Sequence, residues 1–337
     1  MKALFIGGTG TISGAITKLA IERGWELYLL NRGNRELPEG ARQIQADIRD
    51  EAGVREKLSG LRFDVVADFI AFTPDQLERD YRLFAGKADQ FLFISSASAY
   101  QKPLANPFIT ESTPVHNPYW QYSRDKIACE QLLTDLYRQK GFPVTIVRPS
   151  HTYCERSVPV ALHGAKGSYQ IVQRMKQGKK VIVPGDGTSL WTLTASRDFA
   201  MAFLGLMGNI HAIGETYQIT SDESLTWNQI HQIIASALGV EAKLVHIPSD
   251  VLGALNPEWV GGLTGDKANS VVFDNAKIKY AVPGFAATTR FDQGAREAVR
   301  YIESHPDCQK DDPEFDQWCD KVIEQWDRAV ETLPRFK

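Results

Sequence analysis

Short apolar runs recur along the first 220 residues, and several of them are followed by apolar side chains at helical spacing. The segments that predict strands are residues 3–6, 26–30, 43–46, 64–70, 90–94 and 144–147, of which 3–6 and 64–70 are apolar enough to be buried. After the first run, Ile12, Ile16 and Leu19 recur at steps of three or four residues, which predicts a helix. Strands that alternate with helices indicate a parallel sheet with right-handed crossovers. We therefore predict an α/β fold built on a doubly wound parallel sheet.

The alternation loosens beyond residue 153, and a chain of 337 residues is longer than one hydrophobic core usually supports. We predict one domain from residues 1–153 with a return segment at about 193–220. A smaller C-terminal lobe would comprise residues 154–192 and 221–337. Near its end, Asp312-Pro313-Glu314 predicts a helix start with a cap, a first-position proline and an acid in the first turn. The apolar stripe of that helix can dock within the chain or between two copies, so both monomer and homodimer fit.

A glycine-dense turn follows the first strand, with glycines at positions 7, 8, 10 and 14. Such a turn between strand and helix lets the backbone approach a pyrophosphate, which then sits on the free N–H groups of the helix N-terminus. The spacing departs from G-x-G-x-x-G, and a plain strand-to-helix turn is the alternative. The residues we assign to cofactor binding here are Gly7, Thr9, Gly10, Thr11 and Ile12.

The end of the second strand carries Asn31 where NAD-binding proteins commonly place an acid on the adenosine ribose. Arg32 and Arg35 stand beside it, and a guanidinium can form two hydrogen bonds to a 2′-phosphate. The turn therefore slightly favours NADP over NAD, with a solvated surface turn as the alternative. Asp47 and Ile48, at the end of the third strand, are placed to bracket the adenine ring.

Serines follow the fifth strand at positions 95, 96 and 98, and Tyr122 and Lys126 lie four residues apart on a predicted helix. A nearby ammonium favours the phenolate and so lowers a tyrosine pKa from its usual value of about 10. A hydroxyl from Ser96 can bind the same substrate oxygen. Tyr-x-x-x-Lys alone is a weak signal, and its weight comes from the order of glycine turn, strand-end serines and Tyr/Lys helix.

Composition narrows the functional class. The net charge of −3 lacks the basic surplus of a general nucleic-acid binder. The four cysteines show no C-x-x-C pair and no zinc-ligand spacing, so we expect reduced thiols and no metal site. We expect no membrane partner, because no apolar run approaches the roughly 20 residues that span a bilayer. The first strand begins at once without a leader-like segment, so a cytoplasmic location is the default expectation.

Taken in order, these motifs resemble the extended or atypical branch of the short-chain dehydrogenase/reductase superfamily, the NAD-dependent epimerase/dehydratase-like proteins. The resemblance covers about residues 1–240 and rests on the sets 7–10, 47–48, 94–100, 122–126, 148–149, 184–187 and 197–200. It implies a Rossmann-type sheet, a C-terminal substrate-binding lobe and NAD(P). Ser96, Tyr122 and Lys126 match the family's catalytic residues, and Tyr122 and Lys126 also bind the cofactor. Pro149 and Ser150 would lie near the nicotinamide, and Tyr100 would line the substrate side.

Three positions depart from the family pattern. Ser13 stands where the third glycine usually falls. His151 occupies a place where nucleotide-sugar enzymes often have asparagine. Trp191 falls where those enzymes often carry an arginine that grips the substrate diphosphate, and an indole cannot neutralise phosphate. Arg197 is a residue that could compensate.

The leading hypothesis is an NAD(P)-dependent epimerase, dehydratase or reductase that transfers hydride at a hydroxyl or keto carbon of a sugar-like or other small substrate, with Tyr122 as general acid/base. Glu111 is the candidate for the extra carboxylate that a dehydratase would need. The alternative is a non-catalytic dinucleotide- or RNA-binding protein on the same fold, because the chloroplast stem-loop RNA-binding proteins share the Asn31-Arg32-Gly33 style of turn.

Overall fold

The computed structural model describes residues 1–336, which form two compact units. The first unit comprises residues 1–152, 194–222 and 273–288, and the second comprises residues 153–193, 223–272 and 289–336. The strands are β1 (Lys2–Ile6), β2 (Glu26–Asn31), β3 (Arg42–Gln45), β4 (Phe63–Asp68), β5 (Ala88–Ile94), β6 (Phe108–Ile109), β7 (Val144–Pro149), β8 (His151–Tyr153), β9 (Val181–Pro184), β10 (Leu190–Trp191), β11 (Leu193–Ala195), β12 (Thr216–Ile219), β13 (Leu225–Thr226), β14 (Leu244–Ile247) and β15 (Val272–Phe273).

The α-helices are α1 (Thr11–Glu22), α2 (Glu51–Lys57), α3 (Pro74–Phe84), α4 (Gln121–Lys140), α5 (Tyr169–Lys176), α6 (Ser196–Leu206), α7 (Trp227–Ala237), α8 (Ser249–Leu255), α9 (Trp259–Gly262), α10 (Ala276–Ala281), α11 (Phe291–Ser304) and α12 (Pro313–Thr332). Short 3-10 helices cover Ala97–Ala99, Ile210–Ala212 and Pro306–Cys308, and a π-helical turn covers Leu263–Lys267. No helix within residues 1–336 combines the length and hydropathy that a membrane crossing requires.

The first unit is built on a seven-stranded sheet in the order β12-β7-β5-β4-β1-β2-β3, in which every neighbouring pair is parallel. Residues of β1 face alternate sides: Ala3 and Phe5 join one apolar cluster, and Leu4 and Ile6 join the other. Both faces are therefore buried, which explains why this strand is a continuous apolar run. Helices α1 and α6 cover one face, and α3 and α4 cover the other.

The strand order confirms the predicted doubly wound sheet. The chain moves from β1 outward to β3, then returns to place β4 on the other side of β1. In open α/β sheets the ligand crevice lies at this reversal, beyond the carboxyl ends of the two strands. The ends of β1 and β4 therefore border the candidate site.

Residues 273–288, which the sequence analysis assigned to the second lobe, belong to the first unit. Their apolar side chains explain the difference, because Ile278 and Phe285 are buried in the same cluster as Phe199 and Phe203 of α6. The Gln218 side-chain amide on β12 also donates to the Asp274 carbonyl at 2.8 Å.

In the second unit, the terminal helix α12 begins where its sequence signature predicts, with the Asp312 side chain accepting a hydrogen bond from the Phe315 amide. Its acids meet a basic run at residues 174–180, which begins in α5, with Lys179 bound to Asp316 and Asp320 and Lys180 bound to Asp327. Arg174 is 1% exposed and binds Asp316 and Asp320 at 2.6 and 2.8 Å. This basic run is therefore largely neutralised within its own unit.

Candidate functional site

The glycine turn connects β1 to α1 through backbone conformations that favour glycine. Gly7 and Gly8 have φ angles of 105° and 93°, in the left-handed region. A Cβ atom on Gly8 would lie 2.7 Å from the Leu29 side chain, so the position also has no room for one. The first turn of α1 holds no acidic side chain. Its N–H groups and positive dipole end thus suit a pyrophosphate.

Ser13 takes over a structural role at the place of the usual third glycine. It is 3% exposed, and its hydroxyl accepts a hydrogen bond from the Gly10 amide at 2.8 Å. Steric crowding does not require glycine at position 14, because a Cβ atom on Gly14 would have no neighbouring atom within 4 Å. Among the other predicted residues of the turn, Thr9 and Ile12 are half-buried and Thr11 is exposed.

A cavity of about 350 Å³ opens beside the turn. Its lining residues are Gly7, Leu30, Asn31, Arg32, Ala46, Asp47, Ile48, Arg49, Ile70, Gln76 and Arg79. The structure thus brings together five predicted cofactor residues, from the turn and from the ends of β2 and β3. Arg35 is not among the lining residues, but its guanidinium donates to the Thr9 carbonyl of the glycine turn.

Three polar residues that line the cavity were not predicted from the sequence. Arg49 holds the Asp47 carboxylate with contacts of 2.6 and 3.0 Å, and this hydrogen-bonded pair keeps the pKa of Asp47 well below its usual range. Gln76 and Arg79 come from α3, where polar side chains at helical spacing look like a solvated face. Only the packing of α3 beside the cavity reveals them.

Lys126 is buried near the carboxyl ends of β4 and β5. Its side chain is 2% exposed and donates to the carbonyl oxygens of Ala71 and Ile94 at 2.8 and 2.7 Å. The ammonium also lies 4.6 Å from the ring centres of Phe72 and Phe93. Burial lowers the pKa of Lys126 to about 8. The lysine therefore carries its charge at neutral pH, but at the cost of desolvation.

Tyr122 lies in the first turn of α4, one helical turn before Lys126. The Lys126 nitrogen is 5.9 Å from the centre of the Tyr122 ring. Trp120 and Phe72 flank the phenol, with ring centres at 4.9 and 6.3 Å. The half-buried Tyr122 thus shares one aromatic environment with the lysine.

Ser96 joins the end of β5 to the start of α4 through a chain of hydroxyls. The Ser96 and Ser98 oxygens are 2.9 Å apart, and Ser123 donates to Ser98 at 2.8 Å. Ser98 and Ser123 are buried, whereas Ser96 is partly accessible. The chain positions the one serine that remains accessible beside the helix that carries Tyr122.

Tyr100 departs from its expected place on the substrate side. It is 0% exposed, its hydroxyl donates to Gln218 at 2.8 Å, and the Arg148 guanidinium stacks 4.7 Å above its ring. Arg148 in turn binds the buried Glu130. Burial raises the pKa of Tyr100. Tyr100 is therefore an internal packing residue, and the strand-end motif alone could not distinguish it from an accessible one.

The remaining predicted residues lie in several places. Pro149 is buried at the end of β7, Ser150 and His151 follow half-buried, and Arg197 is exposed on α6. Glu111 accepts a hydrogen bond from the Gln218 amide at 3.0 Å. In the second unit, Trp191 is 3% exposed and stacks on Trp227 at 5.4 Å. Among residues 1–336, no three His, Cys, Asp or Glu side chains gather as metal ligands.

Comparisons with known proteins agree with this architecture. The sequence profile of the NAD dependent epimerase/dehydratase family matches residues 3–220. The chloroplast stem-loop binding protein of 41 kDa b of Arabidopsis thaliana is 26% identical over 261 residues. That alignment covers 73% of this chain and 65% of the relative, so the chain spans just under two thirds of the relative's length.

Two solved structures illustrate the similarity of fold. The dTDP-glucose 4,6-dehydratase of Bacillus anthracis in complex with NAD superimposes with a TM-score of 0.74 at 17% identity, covering 91% of this chain and 98% of that one. The UDP-glucuronic acid 4-epimerase of Bacillus cereus with UDP-glucuronic acid and NAD gives 0.71 at 18% identity, covering 90% and 99%. At these identities the superpositions establish the fold alone.

Proposed function

This chain belongs to the NAD dependent epimerase/dehydratase family, and we propose that it catalyses redox chemistry at a hydroxyl-bearing carbon of a sugar-like substrate, with Tyr122 as general acid/base. The observation that carries this proposal is the convergence of Lys126, Tyr122 and the accessible Ser96 beside the sheet's reversal point. A positioned acid/base of this kind accelerates proton transfer by about 10²- to 10⁴-fold.

The glycine turn and the cavity beside it fit a dinucleotide. The α1 N-terminus would hold the pyrophosphate, and Asp47 and Ile48 would bracket the adenine. When bound, the nicotinamide supplies a hydride acceptor and donor. Arg32 lines the cavity at the ribose edge where a 2′-phosphate would meet a cation, so we infer a slight preference for NADP over NAD.

The three catalytic residues divide the work at the substrate oxygen. Tyr122 removes or returns the proton, while the Lys126 charge stabilises the phenolate. The Ser96 hydroxyl donates to the same oxygen and orients it. Because Lys126 is held by two carbonyls and carries no carboxylate contact among its hydrogen bonds, its charge is left to act on the phenol.

The substrate class follows in part from the related structures. The named epimerase and dehydratase act on UDP- and dTDP-linked sugars, so a nucleotide sugar is the first candidate. The buried Trp191 offers no charge for a diphosphate. Sugars without a nucleotide and other small polyols are therefore equal members of the test panel.

The test incubates the protein with NAD or NADP and each panel compound, and follows products by NMR. Turnover of one compound supports the proposal. Absence of turnover on the whole panel, with dinucleotide binding retained, would overturn it in favour of a non-catalytic cofactor-binding protein.

A second candidate is nucleic-acid binding, because the Arabidopsis relative is named a stem-loop binding protein. A stem-loop RNA titration at several salt concentrations tests it, since phosphate contacts make affinity fall steeply with salt. The net charge of −3 and the neutralised basic run around Arg174 favour the enzyme.

A further inference from the structure

Two buried aspartates meet beneath the loop that joins β4 to α3. Asp68 ends β4 at 1% exposure, and Asp80 lies on α3 at 0% exposure. Their carboxyl groups are within hydrogen-bond reach of each other. The Oδ2 atom of each is buried and receives no hydrogen bond from any other described group. Two ionised carboxylates offer each other only acceptors, so a hydrogen bond between these groups requires a proton on one of them.

The Oδ1 atom of each carboxyl group has hydrogen-bond donors of its own. Asp68 Oδ1 accepts from the backbone amides of Ile70 and Ala71 at 2.6 and 2.9 Å. Asp80 Oδ1 accepts from Arg79 at 2.8 and 2.9 Å. Burial and the Asp68 charge both raise the pKa of Asp80, which outweighs the opposing effect of Arg79.

This pair connects the cofactor cavity to the catalytic lysine. Arg79 lines the cavity, and Asp68 anchors the loop whose Ala71 carbonyl accepts from Lys126. Ile70 of the same loop also lines the cavity. The charged and titratable groups that interact with the pair are Arg79 and Arg82 on α3 and Lys126 and Cys129 on α4.

We propose that Asp80 keeps a proton at neutral pH, donates it to Asp68, and is thereby a positioning residue for the 70–71 loop and for Lys126. Its importance for catalysis rests on the function proposed above. The shared proton and the order of the 70–71 loop do not depend on that function, because both can be measured without turnover.

The experiment compares the full-length protein with Asp80→Asn and Asp80→Val, and with Glu78→Val as an exposed control on the same helix. Asparagine retains an N–H donor for Asp68 and an acceptor for Arg79, whereas valine has neither. We expect the infrared band of a protonated carboxylic acid at neutral pH in the wild type and its loss in Asp80→Asn. We expect hydrogen exchange of the Ile70 and Ala71 amides to stay unchanged in Asp80→Asn and to become about tenfold faster in Asp80→Val.

Equal acceleration in the asparagine and valine variants, or no protonated-acid band in the wild type, would show that Asp80 acts as an anion paired with Arg79 and would overturn the proposal. If Asp80→Val does not fold, the infrared and exchange comparison of wild type with Asp80→Asn still decides. On an active panel compound, kcat should fall in Asp80→Val and be restored in Asp80→Asn. Lack of turnover in the wild type would count against the proposed function alone.

Discussion

Replacing Lys126 by methionine should change stability in a way that depends on pH. Burial lowers the Lys126 pKa from 10.5 to about 8. The unfolded chain then binds more protons than the folded one between these values, so this group's destabilising effect is full below pH 8 and fades as the pH approaches 10.5. Its size is about 3 kcal/mol at pH 7 and about 1 kcal/mol at pH 10.

Methionine removes this desolvation cost but leaves the Ala71 and Ile94 carbonyls without their donor, at about 1–3 kcal/mol each. The two effects oppose each other at pH 7. The cost of leaving the two carbonyls without a donor does not change with pH. The free energy of unfolding of the wild type, relative to that of Lys126→Met, should therefore rise by about 2 kcal/mol between pH 7 and pH 10.

Urea unfolding at pH 7, 8, 9 and 10 measures this difference, with the exposed Lys140→Met on the same helix as control. A stability difference that stays flat with pH would refute the buried, desolvated lysine. The same variant should lose turnover by about 10²-fold or more, because the phenolate loses its neighbouring charge.

Three further outcomes follow from the structure. Arg32→Ala should weaken NADP binding about tenfold and leave NAD binding unchanged, as measured by calorimetry; equal loss of both would remove Arg32 from the 2′-phosphate. Ser96→Ala should lower kcat by about 10²-fold with little change in cofactor affinity, and an unchanged kcat would contradict its role. Burial lowers the pKa of His231 from 6.5 to about 4, so between these values the unfolded chain binds a proton that the folded protein does not, and the wild type loses stability as the pH falls. His231→Asn should therefore gain about 2 kcal/mol over the wild type between pH 7 and pH 5 in urea unfolding, and an unchanged difference would refute it.

The inner strands β1, β4, β5 and β7 were predictable because burial on both faces makes each of them largely apolar. The run at residues 144–147 extends in the structure to Pro149, and the terminal helix begins at Pro313 as its cap signature predicts. Local chemistry suffices for such elements.

Helix α11 was missed although its buried side recurs at helical spacing. That face consists of Phe291, Gly294, Ala295, Ala298, Val299 and Ile302, so the amphipathic pattern of this helix is present in the sequence. A Cβ on Gly294 would lie 1.9 Å from the Tyr153 hydroxyl oxygen. The small residue is therefore explained by a contact with a distant part of the chain, which local pattern cannot reveal.

The candidate site likewise contains residues that the local sequence predicts and residues that only the folded structure reveals. Glycine spacing and the interval from Tyr122 to Lys126 identify residues that act through local geometry. The aspartate pair of β4 and α3 had no signal, because Arg79 and Asp80 read as surface charges until the helix is packed on the sheet. The prediction that Tyr100 lines the substrate side was wrong, because its sequence motif matches the family but Gln218 and Arg148 enclose the side chain in the folded protein.

The proposed function depends above all on proton transfer by the Tyr122 hydroxyl. The most direct measurement compares turnover and NAD(P) affinity in Tyr122→Phe with those in Tyr119→Phe, an exposed tyrosine just before the same helix. We expect a loss of about 10²- to 10⁴-fold in kcat for Tyr122→Phe, with cofactor affinity near the wild-type value, and normal turnover in Tyr119→Phe. Turnover retained in Tyr122→Phe would contradict it.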